Sequence, residues 1–181
     1  MVCGVRADQA LEGPARNGTG GTTMFREMRR FKQQVSEAEC IEILKSTKRG
    51  VLSVIGDDGY PYGMPLNHYY CEEDGKLYFH GAKAGHKIDA IKACDKVSYC
   101  VYNDGFRREG EWALNITSVI IFGRIHLVED KERALKICSE LTRKFTDDEA
   151  YLEKEIANFF RNVQCLELVP EHMTGKLVNE S

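Results

Sequence analysis

From Val51 onward, hydrophobic and polar positions alternate with a period of two, as in strands with one buried face. Val51–Ile55 predicts a first strand, Asp57-Asp58-Gly59 a turn, and Tyr60–Cys71 a second strand. Asp74-Gly75 turns into a third, Lys76–His80, and Lys96–Tyr102 predicts a fourth. Ile116–Val128 is a long fifth strand that is apolar on both faces, with Val119, Ile121 and Ile125 on one and Ile120 and Phe122 on the other. A sheet with one wet face alternates more cleanly, so one face of this strand should fill a barrel and the other meet a helix or a second subunit. Asn162–Val169 predicts a sixth strand, broken by Pro170, with a short segment His172–Leu177 after it.

Helical spacing interrupts the strands. Ser36 and Glu39 form a capping box for a helix to about Thr47, with Ile41 and Leu44 on its apolar face. His86 to Ala93 carries Ile88 and Ile91 on one side. Asp130 should cap a helix reaching Phe145 through Ala134, Cys138 and Leu141, and Asp147 should open another with Leu152, Ile156 and Phe159 aligned. Antiparallel strands with helices near the middle and end predict a mainly β (α+β) fold: a small barrel with capping helices. Residues 1–23 lack periodicity and read as a flexible leader before a single domain from 24 to 181. The basic Arg26–Lys32 stretch reads as an extended arm.

Composition narrows the classes. A net charge of −3 and a pI near 6.0 argue against a nucleic-acid binder. No apolar run approaches the ~18 residues of a membrane helix. The seven cysteines are dispersed without a C-x-x-C pair, as expected of reduced thiols in a cytoplasmic protein rather than a disulfide framework or a zinc site.

The chemistry concentrates in LYFHGAKAGHKIDAIKAC, Leu77 to Cys94. The strand ends at His80, Gly81 and Gly85 lie in the loop that follows, and a helix starts at His86 and Lys87. A helix start presents unpaired N–H groups and partial positive charge. Cations crowded there are unfavourable unless an anion joins them, so the loop reads as a phosphate seat. Neither the Walker spacing nor G-x-G-x-x-G is present. The alternative reading is a strand-to-helix connection with solvated lysines.

The order of motifs resembles the flavin-binding split barrel of the pyridoxamine 5′-phosphate oxidase-like superfamily, and within it the nitroimidazole-resistance (nitroimidazole reductase) group. DGYPYGMPLNHYY (58–70), GKLYFHGAKAGHKIDAI (75–91), SVIIFGRIHLVED (118–130) and PEHMTGK (170–176) carry the likeness. The resemblance implies an FMN cofactor at the interface of a homodimer. Met64, Pro65, Leu66 and Asn67 would lie along the flavin ring through backbone groups. His80, Gly81, Ala82, Gly85, His86 and Lys87 would hold its phosphate. Ser118 would help hold the flavin tail, Trp112 would approach the ring from the other subunit, and Lys176 lies in a C-terminal stretch close to the site. The arginine-and-lysine phosphate signature of true pyridoxamine phosphate oxidases is missing, which argues against vitamin B6 oxidation and leaves the substrate open; the group resemblance implies reduction of a small electrophile such as a nitroaromatic.

His68 is the side-chain candidate for proton delivery, because its ordinary pKa lies near working pH. Alternation points it away from Asn67, so only one of the two can face a ring on this strand. A second class of function stays open: a non-catalytic flavin- or haem-binding split barrel acting as carrier or sensor, with His68, His80 or His86 as axial-ligand candidates.

Overall fold

The computed structural model describes residues 25–180, so the expected leader at 1–23 lies outside the described residues. Among these, eight antiparallel strands form one sheet, in the order β3-β2-β6-β7-β8-β5-β4 with β1 added against β8. The strands are β1 (Gln34–Val35), β2 (Arg49–Ile55), β3 (Pro61–Asn67), β4 (Tyr69–Cys71), β5 (Lys76–Ala82), β6 (Lys96–Tyr102), β7 (Leu114–Val128) and β8 (Val163–Glu180). The helices are α1 (Glu37–Ser46), α2 (His86–Ala93), α3 (Lys131–Arg143) and α4 (Glu149–Phe159).

The sheet curls because residues from its two ends share one core. Leu52, Val54 and Met64 from β2 and β3 pack with Leu77 and Phe79 of β5 and Leu166 and Leu168 of β8. Val97, Tyr99 and Val101 of β6 and Val119, Ile121 and Ile125 of β7 complete the interior. α1 closes it through Cys40 and Leu44, and α2 through Ile88, Ala90 and Ile91. β3 and β5 are not hydrogen-bonded to each other, so the barrel is split along that line. This is the mainly β small barrel with capping helices that the pattern predicts, split as the resemblance implies.

α1 begins at the expected capping box: Glu39 N–H donates to Ser36 Oγ at 3.2 Å, and Ser36 N–H to Glu39 Oε2 at 2.9 Å. Four local expectations change. Tyr60–Cys71 is two strands, β3 pairing with β2 and β4 with β5, parted at His68. The N-cap of α4 is Asp148, whose carboxylate accepts from Tyr151 N–H, and not Asp147. α3 ends at Arg143, before Phe145. Pro170 does not break the last strand: β8 runs through it, paired with β7 over almost its whole length. The ladder slips there, Gly123 facing Pro170 and Phe122 facing His172, so Glu171 is an extra residue. A bulge of this kind accommodates a residue without an N–H.

The outer surface of the sheet has two parts. α3 covers one, burying Ile137, Cys138 and Leu141 against Cys71, Tyr78, Val128 and Cys165. The other, across β3, β2, β6, β7 and the end of β8, has no helix over it among the described residues. Register sets its rows: Pro65, Val51, Cys100, Ile120 and Thr174 in one, Gly63, Ser53, Ser98, Phe122 and His172 in the next. Val51, Ile55, Tyr102, Ile120 and Phe122 are exposed there. Near one margin Phe25 stacks on His172 at 4.6 Å and on Phe122 at 5.8 Å, so the residues before β1 cross this face.

Candidate functional site

β5 alternates so that Leu77 and Phe79 enter the barrel while Tyr78 and His80 face outward. It runs through Gly81 and Ala82 into the loop, and Gly85 turns the chain into α2 at φ +118°, a value that glycine accommodates best. Lys87, one residue into the helix, folds back over Gly81. A Cβ on Gly81 would lie 2.5 Å from Lys87 Nζ, so the missing side chain gives the ammonium its place. Burial lowers the Lys87 pKa, with no carboxylate counteracting it. Burial, and then the Lys87 charge, lower the pKa of His80. The loop thus holds two proton-binding groups that disfavour each other's charge, beside the amides of a helix start. An anion would relieve all three.

His86 is placed differently from the expectation. Its ring stacks on Tyr62 at 4.3 Å. Its Nε2 accepts from Asp57 N–H at 3.4 Å and lies 3.7 Å from Asp57 Oδ2. These contacts tie the β2–β3 turn to α2 and engage the ring away from the loop. Lys83 and Ala82 are exposed.

β3 is a terminal strand whose free edge faces the split. Alternate backbone groups of such an edge have no strand partner and can meet a ligand. Met64 and Leu66 point inward, and Tyr99 Oη lies 3.2 Å from Leu66 C=O. Pro65 points to the open outer face opposite Val51. Asn67 ends the strand with its Oδ1 accepting from Arg49 Nε at 3.0 Å. Asn67 and His80 both line a cleft of about 480 Å³ whose other wall is the α3–α4 pair, through Leu141, Thr142, Phe145 and Tyr151. Glu155 also lines it. A smaller void of about 70 Å³ shares His80, Thr142 and Glu155 with the cleft and reaches Cys138.

His68 is fully buried. Its Nε2 lies 2.7 Å from Leu44 C=O, and its Nδ1 lies 2.9 Å from Tyr99 Oη. A carbonyl only accepts, so Nε2 carries the proton and Tyr99 donates to Nδ1. Burial, then the nearby Lys144 charge, push its pKa down to about 4. Both ring nitrogens are spent inside the protein, which makes His68 a core residue joining α1 to β6. The expected proton-delivery role therefore does not fit its position. Of the alternating pair, Asn67 is the one that faces a cleft.

Of the remaining candidates, Ser118 and Lys176 lie on the open face and Trp112 in the loop before β7. Ser118 and Lys176 are cross-strand partners, with Tyr102 beside Ser118. Trp112 is 87 % exposed, and Arg107 lies over its ring at 5.5 Å and donates from Nε to its carbonyl at 3.0 Å. The protomer does not gather Trp112, Ser118 and Lys176 with the Gly81–Lys87 loop. Phe145, Tyr151 and Glu155 are cleft residues that sequence reading missed, as is Arg49, which holds the Asn67 side chain. The available signal was the pair Tyr151 and Glu155, four apart on α4 and off its Leu152–Ile156–Phe159 stripe.

A split barrel with an anion-suited loop beside its opening is the arrangement of one known class, and residues 36–177 match the family described as Pyridoxamine 5′-phosphate oxidase. The chain belongs to that family. No curated protein matches it. Among solved structures it is similar to a candidate 5-nitroimidazole antibiotic resistance protein from Bacteroides thetaiotaomicron, at 19 % identity and a TM-score of 0.66, over 81 % of this chain and 87 % of that one. A FAD-binding protein from Mesorhizobium loti gives 24 % identity and a TM-score of 0.58, over 80 % of this chain and 96 % of that one. A FAD- and haem-binding protein from Mycobacterium smegmatis gives 18 % identity and a TM-score of 0.62, over 80 % and 73 % of the respective chains. Among the described residues no helix is long and apolar enough to cross a membrane.

Proposed function

We propose that this protein is an FMN-dependent oxidoreductase that reduces a small electrophile such as a nitroaromatic and works as a homodimer. The observation that carries the reading is Lys87 folded over Gly81 with no carboxylate beside it, next to His80 and a helix start. That is a seat for one terminal phosphate. FMN is preferred to FAD because there is a single compact anion loop and no second nucleotide fingerprint. The flavin, when bound, supplies the electron-transfer chemistry. The chain's part is to hold it: Lys87, His80 and the first amides of α2 at the phosphate, and the free edge of β3 from Met64 to Asn67 along the ring. The 480 Å³ cleft suits a small-molecule substrate.

The homodimer reading rests on the open outer face. Its apolar rows need a cover, and Trp112, Ser118 and Lys176 join the loop only if a second copy supplies them. Cys40, Cys71, Cys94, Cys100, Cys138 and Cys165 are free, which fits the reducing cytoplasm. The carrier or sensor reading draws on the FAD- and haem-binding neighbour. With His68 spent in the core and His86 stacked on Tyr62, His80 is its remaining axial-ligand candidate.

One experiment tests the cofactor. The purified protein is expected to be yellow and to release FMN on denaturation; FAD, haem or nothing would count against the reading. Consumption of a nitroaromatic by the reduced holoprotein, faster than by free FMN, is the expected result for an enzyme. No acceleration would favour the carrier.

A further inference from the structure

Behind the cleft, in the layer under α3, two buried cysteines meet. Cys138 of α3 and Cys165 of β8 have their sulfurs 3.5 Å apart, and Cys165 Sγ also lies 3.5 Å from the Ala134 carbonyl. They sit in the apolar layer between α3 and the sheet. The sulfurs are already in hydrogen-bond contact, so bond formation asks for a small approach. Access differs between them: Cys165 is sealed, whereas Cys138 borders the 70 Å³ void that opens beside His80, Thr142 and Glu155.

We propose that Cys138 and Cys165 form a peroxide-sensitive dithiol, with Cys138 the sulfur that reacts first and Cys165 the one that resolves it. The void sets the class of oxidant. A cavity needs only ~10–15 Å³ of such space to hold a water, so the pocket of about 70 Å³ has room for hydrogen peroxide and is narrow for the bulkier glutathione disulfide. The hydrogen bond from Cys165 lowers the Cys138 pKa, which favours the nucleophilic thiolate at that sulfur.

The steps balance. The Cys138 thiolate attacks one peroxide oxygen, the O–O bond breaks, and the departing hydroxide takes a proton to become water, leaving Cys138 as sulfenic acid. The Cys165 sulfur then attacks the Cys138 sulfur. The S–S bond forms, the S–O bond breaks, and the hydroxyl leaves as water with the Cys165 proton. Overall, two thiols lose two electrons and two protons, and one peroxide becomes two waters. The product fastens α3 to β8, and Leu141 and Thr142 of α3 wall the cleft. Oxidation would therefore fix that wall in place. The inference needs no bound flavin.

The test uses the full-length wild-type protein, treated with hydrogen peroxide or with oxidised glutathione, alkylated and digested with trypsin. Cleavage places Cys138 in the peptide 137–143 and Cys165 in the peptide 162–176, each with a single cysteine. Peroxide is expected to yield these two peptides joined, 2 Da lighter than their sum, with reduction separating them. Oxidised glutathione is expected to produce the same species at least ten-fold more slowly. In Cys165→Ser, a sulfenic-acid trap should label Cys138. Unlinked peptides after peroxide would overturn the proposal without recourse to any variant. Linkage by glutathione disulfide at the peroxide rate would overturn the access route. Trapping at Cys165 in Cys138→Ser, with none at Cys138 in the reciprocal variant, would overturn the order of reaction.

Discussion

The outer surface of the barrel is solved in two ways on one sheet. Under α3, Tyr78, Val128 and Cys165 meet Ile137, Cys138 and Leu141 and are buried. A polar rim seals the contact: Tyr78 donates to Asp74 at 2.5 Å and accepts from Arg133 Nη2 at 2.6 Å, and Arg133 pairs with Glu167 at 2.7 Å. On the open part, Val51, Ile120 and Tyr102 are as hydrophobic and follow the same alternation, yet they are 38–61 % exposed. What differs is the chain's own cover. Alternation decides which residues point out, and the connection after β7 decides which of them it hides. An outward apolar row with no helix over it among the described residues has the character of a partner surface.

The sharpest way to break this contrast is to cut a cover residue. Leu141→Ala empties a site between α3 and the sheet, and such truncations cost about 2–5 kcal/mol. Thermal unfolding should fall by roughly 5–15 °C. A loss under ~2 °C would mean that α3 is not the lid described here. The barrel interior, shared by both parts, gives the next effect. His68 has its pKa depressed from 6.5 to about 4. Between those values the unfolded chain binds a proton that the folded chain does not, so stability falls as pH drops from about 6.5 towards 4. The full swing is roughly 3 kcal/mol. Denaturant titrations at pH 7, 5.5 and 4.5 should show it, and His68→Gln should flatten the slope over that window. An unchanged slope in the variant would assign the acid sensitivity to other groups.

Lys87→Ala tests the loop between the two parts. Charge-assisted contacts are worth roughly 1.5–3 kcal/mol, so flavin affinity should fall about ten- to a hundred-fold by fluorescence titration of the apoprotein. Lys83→Ala, at an exposed position, should matter less. Equal small effects from both would place the phosphate elsewhere. The mildest change in protomer stability is expected from Ile120→Arg on the open face. Surface replacements usually stay within about 0.5 kcal/mol, yet if the proposed homodimer forms through this face, a charge in its middle should turn it into monomer by sedimentation. A variant as dimeric as the wild type would remove the open face from the interface.

Much of the fold was legible because it is written locally. The Ser36–Glu39 capping box, the Asp-Gly turns and the two apolar faces of Ile116–Val128 are short-range patterns, and each became the expected element. The split at His68 was not legible. It arises because a carbonyl of α1 and a hydroxyl of β6 hold the imidazole in the core, and both lie far away in sequence. Pro170 misled because a bulge absorbs its missing N–H, and only the register with β7 shows the bulge. At the candidate site, the loop around Gly81 and Gly85 could be read from composition. Arg49, Phe145 and Tyr151 could not, since the topology alone brings α1's exit and the α3–α4 pair beside Asn67.

β7 and β8 pair from Val128–Cys165 outward to Leu114–Glu180, and everything between them, residues 129–162, leaves and returns at one end of that ladder. Topologically, α3 and α4 are the loop of a very long hairpin. Lengthening or rebuilding such an excursion adds little closure entropy, because the cost grows only with the logarithm of its length. The barrel and the Gly81–Lys87 loop can stay constant while this single detour is rewritten, and with it the wall of the cleft. What the cleft admits can therefore diversify by insertion and exchange at one joint, without renegotiating the strand register that holds the molecule together.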